Sequence, residues 1–264
     1  MSSVFYDNGA GHTVYQFSDL VAGDGIQSNQ FLLIHSDHAA LIDPGGQLTY
    51  QPLYAAISRL TIVRHLDYVI ASHQDPDIIT SLDKWLLYTD ARVVISRLWA
   101  RFLPHLVPGY IAGESDGRII ALPDSGACLP FGDSEIIALP AHFLHSVGNF
   151  HFYDPVSRIL FSGDVGASLT DEEHARPVRD FDRHVKKMQA FHERYMVSNR
   201  ACRLWVDMVR SLDVDMIVPQ HGRPFVGPQM VGRFLQWFEQ LQCGIDLLGP
   251  NYYRPPRRQA AASA

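Results

Sequence analysis

The stretch YVIASHQDPD, residues 68–77, decides how the rest of the chain is interpreted. It starts as an apolar run with the composition of a buried strand, and His73 and Asp75 follow that run at alternate positions. Alternate side chains of an extended segment point the same way, so these two can share one metal ion. Asp77 follows Pro76 at a predicted helix start, where its carboxylate can reach a second ion or cap the helix. The stretch therefore predicts a metal site or, in the simpler interpretation, a capped helix after a buried strand.

Three later segments repeat this design, with a histidine or an aspartate directly after an apolar strand. They are LPAHFLHS at 139–146, ILFSGDVG at 159–166 and IVPQHG at 217–222. Each is weak evidence alone, because a histidine at a strand end is more often a solvated surface residue and SGD is a common turn. Four such strand ends in one chain indicate a shared site.

The hydrophobic pattern between these segments predicts two successive halves, each with strands followed by helices. Predicted strands lie at 30–34, 39–42, 66–71, 92–96, 135–139, 150–153, 158–161 and 216–218. Predicted helices lie at 50–60, 78–88, 180–212 and 229–242. This order predicts an α/β (α+β) fold with four layers, an αββα sandwich with the site at the mouth between its two sheets.

The length of 264 residues suits one large domain, which we expect at 1–249. The segment 250–264 contains RPPRR followed by small residues, and we expect it to be a disordered tail. A formal net charge of -6 without clustered cations argues against a nucleic-acid partner. The sequence has no signal peptide and no apolar run near the ~20 residues that cross a bilayer, and its three cysteines form no disulfide pattern. We therefore expect a cytoplasmic protein that binds no membrane.

The order of the motifs HxDxD, HFLHS, FSGD and PQHG resembles the metallo-β-lactamase superfamily, from about Asn29 to Gly222. Within it, the chain is most similar to the diiron branch, which contains the flavodiiron proteins and shorter oxygen-binding diiron proteins. The resemblance implies the metallo-β-lactamase sandwich and two metal ions. The implied ligands of the first ion are His73, Asp75, His145 and Asp164. The implied ligands of the second ion are Asp77, His221 and the bridging Asp164.

The resemblance also assigns roles to residues around these ligands. His145 is preferred over His142 because the family's ligand lies at the second histidine of that segment, which leaves His142 in a supporting role. Asp43, in LIDPGG, resembles a buried structural aspartate of the fold. The segment 191–195 resembles a helix found in the family, and the simpler interpretation is a packing helix. Apart from the resemblance, His174, His184 and His192 are expected to be solvated or at the core edge, although His174 follows the segment of Asp164 closely enough to approach the site.

Two departures from the hydrolytic members, which carry HxHxDH, favour iron. Asp75 stands in place of their second histidine, and Ile78 stands in place of their last. Flavodiiron proteins usually have glutamate at the position of Asp75. Three carboxylates and three imidazoles form a hard, oxygen-rich donor set that suits two iron ions; zinc or manganese accept the same ligands. The missing nitrogen at Ile78 leaves the second ion open to a small molecule.

We therefore predict a non-haem diiron protein that binds dioxygen or nitric oxide and acts as a sensor, a carrier or a partner-dependent reductase. The sequence has no dinucleotide fingerprint, and about 40 residues follow His221, too few for a flavodoxin-like domain. We expect an external electron-donor or signalling protein, and a homodimer is compatible with the sequence. The alternatives are a dinuclear zinc or manganese hydrolase of an ester, thioester or phosphodiester, and a metal-bearing signalling module without chemistry.

Overall fold

The computed structural model describes residues 2–107, 117–168 and 174–255. In these residues a seven-stranded sheet faces a six-stranded one. The first sheet consists, in spatial order, of β1 (Ser2–Asp7), β2 (His12–Phe17), β3 (Gln30–His35), β4 (His38–Ile42), β5 (Tyr68–Ile70), β6 (Arg92–Ser96) and β7 (Ile119–Leu122). The second consists, in chain order, of β8 (Ala127–Phe131), β9 (Ser134–Pro140), β10 (Phe150–Asp154), β11 (Ile159–Phe161), β12 (Met216–Val218) and β13 (Phe225–Val226).

The pairing of the strands brings the predicted ligand segments to one edge of the sandwich. β4, β5 and β6 are parallel neighbours in the first sheet, and β11 and β12 are parallel neighbours in the second. Parallel strands end at the same edge of a sheet, which is where open α/β sheets place their ligands. The loops after β5, β9, β11 and β12 therefore share the mouth between the two sheets.

Helices cover the outer face of each sheet. They are α1 (Tyr50–Ile57), α2 (Pro76–Ile79), α3 (Leu82–Tyr88), α4 (Arg97–Ala100), α5 (Leu103–Leu106), α6 (Phe181–Tyr195), α7 (Asn199–Val209) and α8 (Pro228–Gln240). Three apolar clusters separate the four layers, one under the first group of helices, one between the sheets, and one under α6, α7 and α8. The αββα sandwich predicted from the sequence is confirmed.

Two helices predicted as continuous are each interrupted. The predicted helix 78–88 is divided into α2 and α3 around Ser81, whose buried hydroxyl donates to the Gly45 carbonyl instead of facing solvent. The predicted helical region 180–212 is divided between α6 and α7, and the Ser198 side chain caps α7 by accepting from the Ala201 amide. Serine competes with helical hydrogen bonding in this way, so each break has a local cause.

The described residues also bear on the expected tail and membrane contacts. Each helix in the three described ranges is too short or too polar to cross a bilayer. The hydroxyl of Tyr252 accepts a hydrogen bond from Arg194, so the start of the segment 250–264 contacts α6. The expectation of disorder from residue 256 onward lies outside the described residues.

Candidate metal centre

Four of the predicted ligands meet in one cluster, which we call the first half-site. It consists of His73, Asp75, His145 and Asp164, whose ligand-type atoms all lie within 4.8 Å of one another. His145 Nε2 lies 3.0 Å from Asp75 Oδ2 and 3.2 Å from Asp164 Oδ2. His73 Nε2 lies 3.7 Å from the same Asp75 oxygen. This arrangement can hold a metal ion.

The remaining two predicted ligands lie on the other side of Asp164, and with it they form the second half-site. His221 Nε2 is 3.3 Å from Asp77 Oδ2 and 3.6 Å from Asp164 Oδ1. Asp164 thus turns one carboxylate oxygen toward His145 and the other toward His221. A carboxylate in this position fits the predicted bridge between two ions.

Two atoms at the centre of the cluster lack ordinary partners. His73 Nε2 and Asp164 Oδ1 are buried, and neither has a hydrogen-bond partner among the described residues. Burial of such atoms without compensation is costly, and a bound cation would satisfy both. Three imidazoles and three carboxylates fit iron, manganese or zinc.

Charge and burial shift the pKa values of the ligand histidines in different directions. Burial disfavours the charged form of His73, but the nearby carboxylates of Asp75 and Asp164 raise its pKa. Burial lowers the pKa of His145, and the nearby Asp164 carboxylate only partly opposes it. Burial also disfavours the charged form of His221, but the hydrogen bond to Asp77 and the charge of Asp164 raise its pKa to about 9. A histidine must be neutral to bind a metal, so an ion competes with a proton most strongly at His73 and His221, one in each half-site.

Asp43 holds the loop that carries His73. It lies in the left-handed region of backbone space, at φ 54°, directly after β4, and its Oδ1 accepts from the Ser72 amide at 2.9 Å. The Ser72 hydroxyl lies 3.0 Å from His73 Nδ1. Burial raises the pKa of Asp43 to about 6. These contacts fit the structural role expected for Asp43 from the sequence.

His142 faces away from the cluster. Its Nε2 donates to the Asp124 carbonyl at 2.8 Å, and its ring packs edge-on against Phe150. Because these contacts involve none of the six predicted ligands, the supporting role of His142 stays a prediction.

The loop that presents His145 has a strained backbone. His145 and Phe143 adopt φ values of 78° and 66°, which side chains other than glycine rarely adopt. The Asn149 side chain donates to the Leu144 carbonyl at 2.6 Å and holds the loop from within the core. Such strain persists only where the surroundings enforce it, and it is concentrated at functional sites.

His192 is a residue whose position was predicted wrongly. Instead of lying at the surface or core edge, it is fully buried, as His174 and His184 are almost fully buried. Its Nε2 accepts from the Gly166 amide at 2.8 Å, and its Nδ1 donates to the Met188 carbonyl at 2.7 Å. His192 therefore holds the turn that carries Asp164.

Three further side chains contact the ligands without having been predicted. Gln220 donates from Nε2 to Asp77 Oδ2 at 3.1 Å. The rings of Phe191 and Tyr195 cover His145, with centroids 5.8 and 5.1 Å from the imidazole. The segment 191–195 therefore does more than pack the helix, because it shields the first half-site.

Both half-sites border a cleft of about 740 Å³. The five residues Asp75, Asp77, His145, Asp164 and His221 line its polar end. Its walls are largely apolar and include Ile26, Leu48, Phe191 and Tyr195. The cleft gives small molecules a route to the metal ligands.

The chain matches the model of a family described as ODP family beta lactamase over residues 26–222. It is similar to a chemotaxis sensor, ODP, that has been solved as a peroxy diiron species and, from T. denticola, in an apo state. Both structures have a TM-score of 0.81 and 37% sequence identity, and the match to the first covers 93% of this chain and 97% of the other.

More distant relatives include proteins with longer chains. The flavodiiron protein from Giardia intestinalis shares the fold, with a TM-score of 0.73 and 16% identity over 90% of this chain and 59% of its own. The curated protein named putative diflavin flavoprotein A 4, from Synechocystis, is 26% identical over 82% of this chain and 36% of its own length. The chain spans between about a third and a half of the length of the curated relatives that it matches.

A family model that covers three quarters of the chain and a relative with 37% identity over nearly its full length lead to the same assignment. The protein belongs to the ODP family of metallo-β-lactamase-like proteins, in the diiron branch.

Proposed function

We propose that this chain is a non-haem diiron protein that binds dioxygen and acts as an oxygen sensor. The observation that carries the proposal is the set of three histidines and three aspartates at the mouth of the sandwich, with buried atoms that a cation would satisfy. Its support is the similarity to a sensor that has been solved in a diiron form.

The six ligand residues would hold the ions, and the residues around them control how an external ligand reaches the centre. The first half-site would hold one iron ion, and Asp77, His221 and the shared Asp164 would hold the other. Iron in such a donor set supplies dioxygen binding and one-electron redox chemistry. Phe191 and Tyr195 shield His145 on one side, while the cleft gives a small molecule access to ligands of both half-sites. The protein therefore supplies five ligand side chains around one shared bridge and leaves room for an external ligand.

Several finer points belong to the proposal. Nitric oxide is a second candidate ligand, because it resembles dioxygen in size. We also propose an external partner that either reads the state of the centre or supplies electrons to it. Zinc or manganese would fit the ligand set, but the similar proteins whose names describe a metal contain iron.

The hydrolase alternative has less support. The similar proteins are a diiron sensor and flavodiiron proteins. Asp75 in place of a neutral histidine donates more charge to the metal, which makes a bound water less acidic and leaves less hydroxide at neutral pH. We expect negligible turnover of phosphodiesters, thioesters and lactams.

The decisive experiment is the reaction of the ferrous protein with air. Protein purified without oxygen and reconstituted with ferrous iron should contain two irons per chain and should develop a visible absorption band when oxygen is added. The same protein reconstituted with zinc is the matched control and should show no band. Iron-loaded protein without any spectral change in air would contradict the proposal.

A second measurement separates a sensor from a reductase. In a sensor, oxygen uptake should stop once every centre has reacted, even when NADH is present as the reductant. Sustained uptake with NADH as the sole addition would contradict the need for an external partner. Sustained uptake only after addition of a flavodoxin or a rubredoxin, together with an enzyme that reduces this carrier with NADH, would favour the reductase over the sensor.

A further inference from the structure

The turn that carries His221 is held by the other half of the chain. Asn29 lies directly before β3 of the first sheet, and His221 follows β12 of the second. The backbone amide of Asn29 donates to the Gln220 carbonyl at 2.6 Å. Its side-chain Nδ2 donates to the Pro219 carbonyl and the Gly222 carbonyl, each at 2.9 Å. One residue therefore binds the backbone on both sides of His221.

Burial makes these hydrogen bonds important for the shape of the turn. Asn29 and Gln220 are each 1% exposed, so the carbonyl groups around them have little access to water. Buried carbonyl groups are nearly always paired in native proteins. The two N–H groups of one amide match the two carbonyls, and this fixes the amide with its nitrogen toward the turn, since its oxygen cannot pair with a carbonyl.

The same segment orients the imidazole itself. The Gln27 carbonyl accepts a hydrogen bond from His221 Nδ1 at 2.7 Å. A carbonyl is only an acceptor, so Nδ1 carries the hydrogen, and Nε2 is the nitrogen that faces Asp77 and Asp164. Hydrogen bonds of this kind to the distal nitrogen orient metal-binding histidines.

We propose that Asn29 is a positioning residue for the second half-site, acting on His221 through the backbone of its turn. The inference rests on the proposed dinuclear centre. The hydrogen bonds that Asn29 makes among the described residues go to the His221 turn. Its loss should therefore weaken the second ion and spare the first.

The test compares two neighbouring buried amides. Asn29→Ala removes both side-chain hydrogen bonds, and Asn29→Asp keeps the shape but places an oxygen against two carbonyls. Gln30→Ala is the matched control, because Gln30 is equally buried and its Nε2 donates to the Ser28 hydroxyl instead, at 2.8 Å. Stepwise titration with cobalt(II), followed by absorption, should show the second binding step weakened about 10–100-fold in both Asn29 variants. The first step, and both steps in Gln30→Ala, should match the unmodified protein.

A second measurement does not need a metal. In metal-free protein with ¹⁵N-labelled histidine, Asn29→Ala should shift or broaden the His221 ring signal relative to the unmodified chain, and Gln30→Ala should leave it unchanged. This measurement tests Asn29 even if the unmodified protein fails to bind two ions, which would overturn the proposed function alone.

Two results would overturn the role of Asn29. One is an unchanged second binding step together with an unchanged His221 signal in Asn29→Ala. The other is an equal loss in Gln30→Ala, which would reduce the effect to general packing. If Asn29→Ala does not fold, Asn29→Ser retains one donor and should weaken the second step by a smaller factor, whereas unchanged binding there would count against the proposal.

Discussion

The two half-sites share Asp164 but differ in how completely the protein fills them. The first brings together four ligand-type atoms within 4.8 Å under the rings of Phe191 and Tyr195. The second has only Asp77 and His221 besides the shared carboxylate, and ligands of both half-sites line the cleft. The strand ends therefore supply four ligands to one position and three to the other, and the position with fewer protein ligands has more room for an external ligand.

The ligand histidines differ in how firmly they hold a proton. His145 has a pKa lowered by burial, while burial at His221 is outweighed by Asp77 and Asp164, which raise its pKa to about 9. Burial also disfavours the charged form of His73, but the nearby carboxylates of Asp75 and Asp164 raise its pKa. Each half-site therefore contains one histidine with a raised pKa, and an ion competes with a proton in both.

Removal of the shared Asp164 should have the largest effect. Asp164→Ala should lose both ions, because it deletes the only carboxylate that contacts His145 and His221 together among the described residues. Metal analysis after dialysis measures the result. Asp207→Ala, an exposed substitution on α7, is the control and should retain both ions. Two ions per chain in purified Asp164→Ala would show that Asp164 does not bridge.

The next largest effect should separate His145 from His142, the two histidines of the segment 139–146. His145→Ala should empty the first half-site and leave Asp77, Asp164 and His221 for one ion. His142→Ala should retain both ions, since its side chain bonds to the Asp124 carbonyl. Metal content and the stepwise cobalt(II) titration report both variants. The reverse pattern would mean that the other histidine of the segment is the ligand.

The sequence predicted the ligand segments because each of them has a local pattern. A buried strand, a short polar turn and a histidine or aspartate lie within ten residues of each other, as in 68–77. The central strands were predicted for the same reason, as β6 and β12 show. Five strands were not predicted, namely β1, β2, β7, β8 and β13. β1 has no buried residue, β13 is two residues long, and the buried positions of β2 include the polar residues His12 and Gln16, which hide its burial in the sequence.

The residues that support the ligands could not be predicted in this way. Asn29 and Pro219 are 190 positions apart, and no local pattern connects them. The burial of His192 could have been predicted, because His192 continues the buried stripe of α6 formed by Phe181, His184 and Met188. That helical spacing indicates burial, although it does not indicate the contact with Gly166.

Two buried histidines should make the metal-free protein sensitive to acid. They are His192, which holds the turn of Asp164, and His151 on β10, whose Nδ1 accepts a hydrogen bond from Trp205 Nε1 at 2.9 Å. Burial lowers the pKa of His151 to about 3 and that of His192 to about 4, so both stay neutral in the folded state. They gain protons near pH 6.5 only when the chain unfolds, so the stability present above that pH is lost as the pH falls toward the folded pKa values. Between pH 7 and pH 5, each of these two histidines should lower the free energy of unfolding by roughly 2 kcal/mol.

Urea unfolding in the presence of a chelator measures this loss. His151→Gln and His192→Gln should each reduce the difference in unfolding free energy between pH 7 and pH 5, because glutamine does not titrate. The exposed His65→Gln is the control and should leave the difference unchanged. An equal difference in all four proteins would show that these buried histidines do not set the acid sensitivity.

A histidine at position 78, which would add a ligand to the second half-site, should have the smallest effect. Ile78 follows Asp77 on α2, is fully buried, and stands where the hydrolytic members carry a histidine ligand. Ile78→His should add a nitrogen donor to the second half-site and tighten the second cobalt(II) step about tenfold, the scale of a single supporting change at a metal site. The same variant should react more slowly with oxygen, because the added imidazole competes for the position that the external ligand needs. Ile79→His, one position further along α2, is the control and should alter neither quantity. Unchanged affinity and unchanged oxygen reactivity in Ile78→His would mean that a side chain at position 78 packs in the apolar core and does not reach the second half-site.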